Sequence, residues 1–326
     1  MEILNKKVLI TGGMGFIGSN LARRLVEHGN IVTIVDSMIP EYGGNYQNLS
    51  DMKDRVTINI SDVRDQVAIN HLIKGHDYLF NLAGQTSHLD SMQDPITDLD
   101  INAKAQLSIL EACRKNNLDI RVVFASTRQI YGKPQYLPVD EKHPLHPVDV
   151  NGINKIAGEQ YHILYHEVYG IESSVLRLTN TYGPRMRIKD ARQTFLGIWI
   201  RNLLEGNSIQ VFGDGLQRRD YNFVDDVLDA LMIAATHPDA IGNTYNLGSP
   251  EPLSLEDSAK IICEEVDTYN YIMVPFPEDR KAIDVGDFVC DYSLFSSQFS
   301  WKPRTKFQEG IKKSIEYFRN KLEHYI

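Results

Sequence analysis

Apolar residues along the chain fall into short β-branched runs separated by longer amphipathic stretches. The runs are KKVLIT, NIVTIV, RVTINI, DYLFNLA, IRVVFAS and SSVLRL, with TYNLG later. Their length and composition predict strands. FIGSNLARRLVEHG, DLDINAKAQLSILEACRKN and NKIAGEQYHILYHEVYG instead carry apolar residues at helical spacing and close on glycine or asparagine. Strands that alternate with helices predict an α/β fold, a doubly wound, mostly parallel sheet with helices on both faces. After TNTYGPR at 179–185 the pattern loosens into charged and proline-containing segments. It returns to the sheet at DYNFVDDVLDALMIAA and TYNLG, then leaves it again. The expected organisation is a larger domain of residues 1–183, to which 221–249 returns, and a smaller, discontinuous α+β lobe from 184–220 and 250–326.

Composition narrows the function classes. Of 326 residues, 42% are apolar and 24% charged, which describes an ordinary globule, and no apolar run is long enough to span a bilayer. The N-terminus lacks the basic and long apolar regions of a signal peptide, so the expected location is cytoplasmic. A net charge of -9 gives no basic footprint for nucleic acid, although an acidic protein can still hold phosphates in a local arginine-lined pocket. Cys113, Cys263 and Cys290 are odd in number and widely spaced, as expected of reduced, structural thiols and not of a disulfide framework or a zinc site.

The first candidate chemistry lies in VLITGGMGFIGSN, where Gly12, Gly15 and Gly18 are spaced GxxGxxG between a strand and a helix. Glycines there let backbone N–H groups approach a pyrophosphate that the helix N-terminus then stabilises; a purely structural turn is the alternative. Phe16 and Ile17 open that helix. Asp36 ends the second run, where a carboxylate can accept hydrogen bonds from both adenosine ribose hydroxyls and repels a 2′-phosphate. No arginine directly follows it, so the expected cofactor is NAD. Asp62, followed by Val63 after the third run, stands where an adenine amino group is read; an ordinary helix N-cap is the alternative.

With these turns, the strand ends NLAG (81–84, with Leu82 and Ala83) and FASTRQIYG (124–132), the NGINK segment, RLTNTYGP (177–184) and RRDYNFVDD (218–226), the chain resembles the extended short-chain dehydrogenases. More narrowly, it is similar to the NAD-dependent epimerase/dehydratase family acting on nucleotide sugars. The resemblance covers nearly the whole chain and implies a Rossmann domain that holds NAD tightly and oxidises a sugar carbinol, with C4 the expected centre. The hydride is often returned within the same site. It further implies that Thr127 hydrogen-bonds the reacting hydroxyl, that Lys155 contacts the nicotinamide ribose, that Asn180 lies near the sugar diphosphate and that Arg219 clamps phosphate. A surface ion pair is the alternative for Arg219. Val211 lies in SIQVFGDG (208–215), which resembles the segment holding the nucleotide base. Arg280 approximates a second phosphate-binding arginine, although relatives place one where this chain has Asp284. The partner implied is a nucleotide-diphosphate sugar, with UDP, GDP, CDP and dTDP all open.

Two departures from the family bear on the reaction. Its proton-transfer tyrosine stands four residues before the lysine, and here that position is Asn151. An amide has no accessible proton-transfer equilibrium at neutral pH, so another group must take the hydroxyl proton, a contribution commonly worth about 10² to 10⁴ in rate. Lys155 is one candidate, since burial and nearby positive charge favour the neutral amine, and some dehydratases of the superfamily also lack the tyrosine. His88, expected on a loop after the fourth strand, is another, because histidine titrates near neutrality. Tyr131 and Tyr136 are further candidates that packing equally explains. Asn151 itself is expected to order water or a substrate hydroxyl.

The second departure follows Thr127. Nucleotide-sugar 4,6-dehydratases carry an Asp-Glu pair there, and this chain has Arg128 and Gln129. That favours oxidation or epimerisation over dehydration and makes Arg128 a candidate substrate contact. Alternatives held open are a dehydratase or net 4-dehydrogenase using Lys155 or His88 as base, and a catalytically silent NAD-binding regulatory subunit. His162 and His166, spaced i, i+4 on a helix expected to be partly exposed, read as surface or interface residues because no third ligand stands nearby; no metal is expected. The same helix and the one containing INAKAQLSILEAC form, in the resembling family, the contact of a homodimer, which is the expected assembly; a monomer core is the alternative.

Overall fold

The computed structural model describes residues 2–268 and 270–326. Seven runs form one sheet: β1 (Lys7–Thr11), β2 (Ile31–Asp36), β3 (Thr57–Ile60), β4 (Tyr78–Asn81), β5 (Arg121–Thr127), β6 (Ser173–Leu178) and, after four strands outside the sheet, β11 (Thr244–Leu247). Their spatial order is β11-β6-β5-β4-β1-β2-β3. β1 pairs in parallel with β2, Val8 opposite Val32, and with β4, Leu9 opposite Leu79. The chain therefore moves outward through β2 and β3, then reverses to the other side of β1. That reversal makes the carboxyl ends of β1 and β4 the topological switch point, where open α/β sheets bind ligands. β1 is buried at every position but Lys7, so it reads as a continuous apolar run without alternation.

The helices on this sheet include α1 (Phe16–Glu27), α2 (Gln66–Leu72), α3 (His88–Gln93), α4 (Pro95–Leu99), α5 (Ala105–Asn116) and α6 (Val150–Tyr169). Between α4 and α5, Asp100–Lys104 form a wide π turn. Leu9, Val35, Leu79 and Val122 of the sheet pack with Ile109, Leu110 and Cys113 of α5 in one core cluster. α6 starts at the Asp149 cap and ends at Gly170 with φ 75°, a left-handed turn that favours glycine. Arg177 of β6 is tied to Glu159 of α6 by a buried pair at 2.8 Å.

The chain divides into two compact units, residues 1–127, 149–177 and 228–245 in the first and residues 128–148, 178–227 and 246–326 in the second. The second unit contains three two-stranded ladders: β7 (Asn180–Tyr182) with β10 (Tyr221–Phe223), β9 (Arg218–Arg219) with β12 (Leu253–Ser254), and β8 (Ile209–Phe212) with β13 (Tyr271–Val274). The YNF run, expected to rejoin the main sheet, pairs instead with Asn180–Tyr182. All three of its side chains are buried, and Tyr221 stacks 4.6 Å from Phe307, so the run has its own aromatic core to close on. Among the described residues no helix is long and apolar enough to cross a membrane, and no group of three or more His, Cys, Asp or Glu could hold a metal ion. The three cysteines are free and buried.

Candidate active site

The glycine turn closes at the switch point through backbone contacts that leave no room for side chains. Gly12 has φ +69°, and a Cβ there would stand 3.0 Å from the backbone of Ala83. A Cβ on Gly18 would meet the Gly12 carbonyl oxygen at 2.3 Å, so only glycine lets α1 start this close to β1. Gly15 caps α1 without any side-chain hydrogen bond, which leaves the first-turn N–H groups, those of Phe16 and Ile17, available to an anion. The N–H groups of Leu82 and Ala83 donate to Thr11 Oγ1 at 3.1 and 3.2 Å, which locks the ends of β4 and β1 together.

Asp36 lies at the rim of that turn. Its carboxylate accepts from Met14 N (3.0 Å) and Met38 N (2.9 Å), and burial raises its pKa despite these bonds. A backbone-held carboxylate retains acceptor capacity for a pair of ribose hydroxyls. Asp62 is engaged by the Arg64 guanidinium and backbone, with 2.7 Å to Nη2, and Arg64 holds its pKa below the usual range. The cap of α2 is Asp65 and not Asp62, which removes the capping alternative. Val63 beside it is buried. The glycine cradle, the uncapped helix start and the held Asp36 fit an adenine dinucleotide.

At the start of α6 the side chains are tightly packed. Lys155 Nζ donates to Ala125 O in β5 at 3.1 Å, lies 4.9 Å from the Phe124 ring centre and stands where a Cβ on Gly84 would be 3.1 Å away. Burial lowers its pKa to about 8, against the pull of Asp98 and Glu159. Thr127, two residues after Ala125, ends the same strand. Asn151 is buried, and its amide donates to Gln85 O (2.8 Å) and Asp98 Oδ2 (3.2 Å). Both amide hydrogens are therefore committed within the protein. Asp98 is fully buried and also accepts from Asn102 (3.0 Å) and Asn154 (2.7 Å), so three asparagine amides enclose one carboxylate. Sequence reading missed Asp98, because nothing in its local pattern separates it from a surface aspartate near a helix start.

His88 opens the short helix α3 and does not lie on a loop, because Ser87 caps the turn through Asp90 N. Its Nδ1 stands 2.9 Å from Asp149 Oδ2, while Asp149 Oδ1 accepts from Gly152 N at 2.7 Å as the cap of α6. An aspartate directly before VNGINK is a legible cap signal; its second partner is not. His162, expected at a partly exposed surface, is fully buried: it stacks 4.3 Å from Phe124, with Nδ1 at Gly158 O and Nε2 at Asn81 Nδ2. One neutral tautomer satisfies both contacts, and burial lowers its pKa to about 4. The face of α6 turned to β4 and β5 has room for this ring because Gly158 lies against Phe124.

The remaining candidates belong to the second unit. Arg128 lies 5.0 Å over the Phe288 ring with a buried Nη1 that has no partner, and burial and Arg219 lower its pKa to about 10, which leaves it cationic. Arg219 is held by the carbonyls of Arg218 and Gly286, by Gln217 at 3.1 Å and by Asp284 at 3.5 Å. That is a local frame and not an exposed ion pair. Asp220 beside them is buried, and burial raises its pKa to about 6. Asn180 donates to Asp220 O at 3.0 Å. Val211 is fully buried in β8, and Arg280 lies 5.5 Å from the Phe212 ring of the same strand. Tyr131 is buried and donates to Asn246 at 2.7 Å; Tyr136 donates to Asp140 at 2.7 Å. Both phenols have structural partners.

The geometry has counterparts in known proteins. The profile of the NAD dependent epimerase/dehydratase family matches residues 8–248. A protein of Methanocaldococcus jannaschii, named as a candidate UDP-glucose 4-epimerase, is 33% identical over 96% of this chain and 98% of its own. The UDP-glucose 4-epimerase of Thermotoga maritima, solved with UDP-glucose, superposes with a TM-score of 0.89 at 29% identity, covering 97% of this chain and 99% of that one. The Thermus thermophilus UDP-glucose 4-epimerase, solved with NAD, gives 0.86 at 28% identity, covering 97% and 99%.

Proposed function

This chain belongs to the NAD-dependent epimerase/dehydratase family, and from that membership we propose that it inverts a sugar carbinol, at C4, of a nucleotide-diphosphate hexose. NAD is its cofactor. The single observation that carries the reading is the buried ammonium of Lys155, anchored on Ala125 O two residues before Thr127, beside the switch point where the glycine turn ends β1. Arg128 and Gln129 after Thr127 supply no carboxylate there, which favours inversion over loss of water. When bound, NAD would supply a two-electron acceptor for the carbinol carbon and the donor that restores it from the ketone. The uncapped start of α1 and Gly12 to Gly18 hold its pyrophosphate, Asp36 its adenosine ribose, Asp62 and Val63 its adenine, and Lys155 its nicotinamide ribose. Leu82 and Ala83 line the end of β4. In the second unit Arg219, with Arg128 and Arg280, neutralises the diphosphate, Asn180 stands near it, and the β8 segment around Val211 holds the base. The names of the relatives support a uridine nucleotide and C4.

A panel of nucleotide sugars tests this, with reduced nicotinamide absorbance and product mass followed together. A new epimer of unchanged mass supports the reading. Loss of water makes the enzyme a dehydratase, and accumulating NADH with a product two hydrogens lighter makes it a net dehydrogenase. Failure of every nucleotide sugar to bind or turn over removes the enzymatic reading.

The assembly we propose is a homodimer through α5 and α6. Ile153, Leu164 and Val168 of α6 are exposed and recur on one helical face. Replacing Leu164 and Val168 by aspartate should leave the unfolding midpoint of the monomer nearly unchanged, since neither is a core residue, while light scattering falls from the mass of two chains to that of one.

A further inference from the structure

Oxidation of a carbinol needs a group that takes the hydroxyl proton, and the amide of Asn151 cannot. Resting on the nucleotide-sugar reading, we propose that His88 takes and returns that proton, and that the buried carboxylate of Asp149 is its positioning residue.

Three observations place the imidazole. First, Asp149 is buried and pinned as the cap of α6 through Oδ1, and its other oxygen, Oδ2, stands 2.9 Å from His88 Nδ1. The contact falls short of hydrogen-bond alignment, and His88 Nδ1 has no other partner. The carboxylate is thus the acceptor within reach of a small ring rotation. Second, a ring turned into that contact holds its proton on Nδ1. A proton held on Nδ1 puts the ring's lone pair on Nε2, and the His88 side chain is 39% exposed while Nδ1 itself is buried.

Third, the segment carrying His88 is fastened along the first turns of α6. Gly84 lies against Lys155 Nζ, Gln85 O accepts from Asn151 Nδ2, Ser87 caps α3, and Ser91 Oγ accepts from Asn151 N at 3.3 Å. The imidazole therefore sits on the strip that runs from the lysine ammonium past the amide that cannot titrate. Lys155 and Asp98, the two ionisable groups nearest Asn151 on this strip, are engaged within the protein. Lys155 donates to Ala125 O beneath Gly84, and both oxygens of Asp98 are enclosed by amides.

The sugar O–H bond breaks and an N–H bond forms at His88 Nε2, while the released oxygen electron pair becomes the C=O π bond. The carbinol C–H bond breaks with its electron pair, which the nicotinamide cofactor accepts. The sugar is oxidised by two electrons, the imidazole becomes imidazolium beside Asp149, and the reverse transfer regenerates both.

Ring 15N shifts of histidine-labelled protein, recorded where imidazoles are neutral, read the tautomer without substrate. His88, assigned by its loss in His88→Gln, should carry its proton on Nδ1. In Asp149→Asn the side-chain amide donates toward Nδ1 and the proton should move to Nε2. The unfolding midpoint should be kept, because asparagine caps helices as well as aspartate does. With a sugar that the wild type turns over, His88→Gln should lower kcat by about 10² to 10⁴ with little change in KM, and Asp149→Asn should lower it in the same sense. A wild-type proton on Nε2, or His88→Gln retaining kcat within about threefold, overturns the assignment. If the wild type turns over no nucleotide sugar, the functional reading falls and the role of His88 with it. If it turns over and His88→Gln matches it, only the assignment of His88 falls.

Discussion

Lys155→Met is expected to lower nucleotide-sugar turnover by at least about a hundredfold and, at the same time, to make the cofactor-free protein more stable. The side chain is 6% exposed, with Ala125 O and the Phe124 ring against its ammonium. Neither nearby carboxylate pairs with it directly: Asp98 is occupied by asparagine amides and Glu159 by Arg177. Burial thus outweighs their attraction and holds the pKa at about 8, below the ordinary lysine value of 10.5. The sign follows from proton binding in the two states. Below pH 8 both states carry the proton, and the buried charge destabilises the fold. Between about 8 and 10.5 the unfolded chain keeps the proton that the folded protein has released, so stability rises with pH through that window, by a total of about 3 kcal/mol.

Methionine fills a similar volume without charge and removes this dependence. Denaturant unfolding should show the variant more stable at pH 7 and the gap closing toward pH 10. Parallel pH profiles for the two proteins would show that Lys155 is not a strained buried cation.

Asn151→Tyr, which restores the family's phenol in sequence, is expected to weaken the protein and not to raise turnover. The amide it replaces is 2% exposed and donates to Gln85 O and Asp98 Oδ2. A ring in that space overpacks the start of α6 and takes a donor from a buried carboxylate, for a combined loss of roughly 2 to 4 kcal/mol. Urea midpoints and kcat measured on the same preparations check both halves. A gain in turnover of tenfold or so would show that the position accepts a phenol and that the present site lacks an efficient base.

The expectation that Asn151 orders water or a substrate hydroxyl therefore has to yield its amide hydrogens to the protein. Other elements show the same limit on local reading. The spacing of His162 and His166 is helical, but which side of α6 faces Phe124 depends on Gly158 and on the packing of α6 against β5. The YNF run has the composition of a strand for the main sheet. Its pairing with Asn180–Tyr182 was decided by the aromatic cluster around Tyr221, which no local pattern specifies. His88 was a candidate from the sequence, whereas Asp149 was not, although an aspartate directly before VNGINK is a cap signal. That one carboxylate serves both the cap and His88 was not legible.

By itself, the sequence determined the alternation of strands and helices, the glycine turn, the acid at the end of β2 and the absence of a phenol before Lys155. Each of these depends on residues within a few positions of one another, where backbone geometry and hydrophobic period act directly. Only the tertiary structure decided what Asn151 holds, what encloses Asp98 and what stands beside His88. Those contacts join residues 53 and 66 positions apart, as between Asn151 and its partners Asp98 and Gln85. They form because a buried polar group without a partner is costly, and the packing of whole elements, not the neighbours in sequence, determines which partner each one finds.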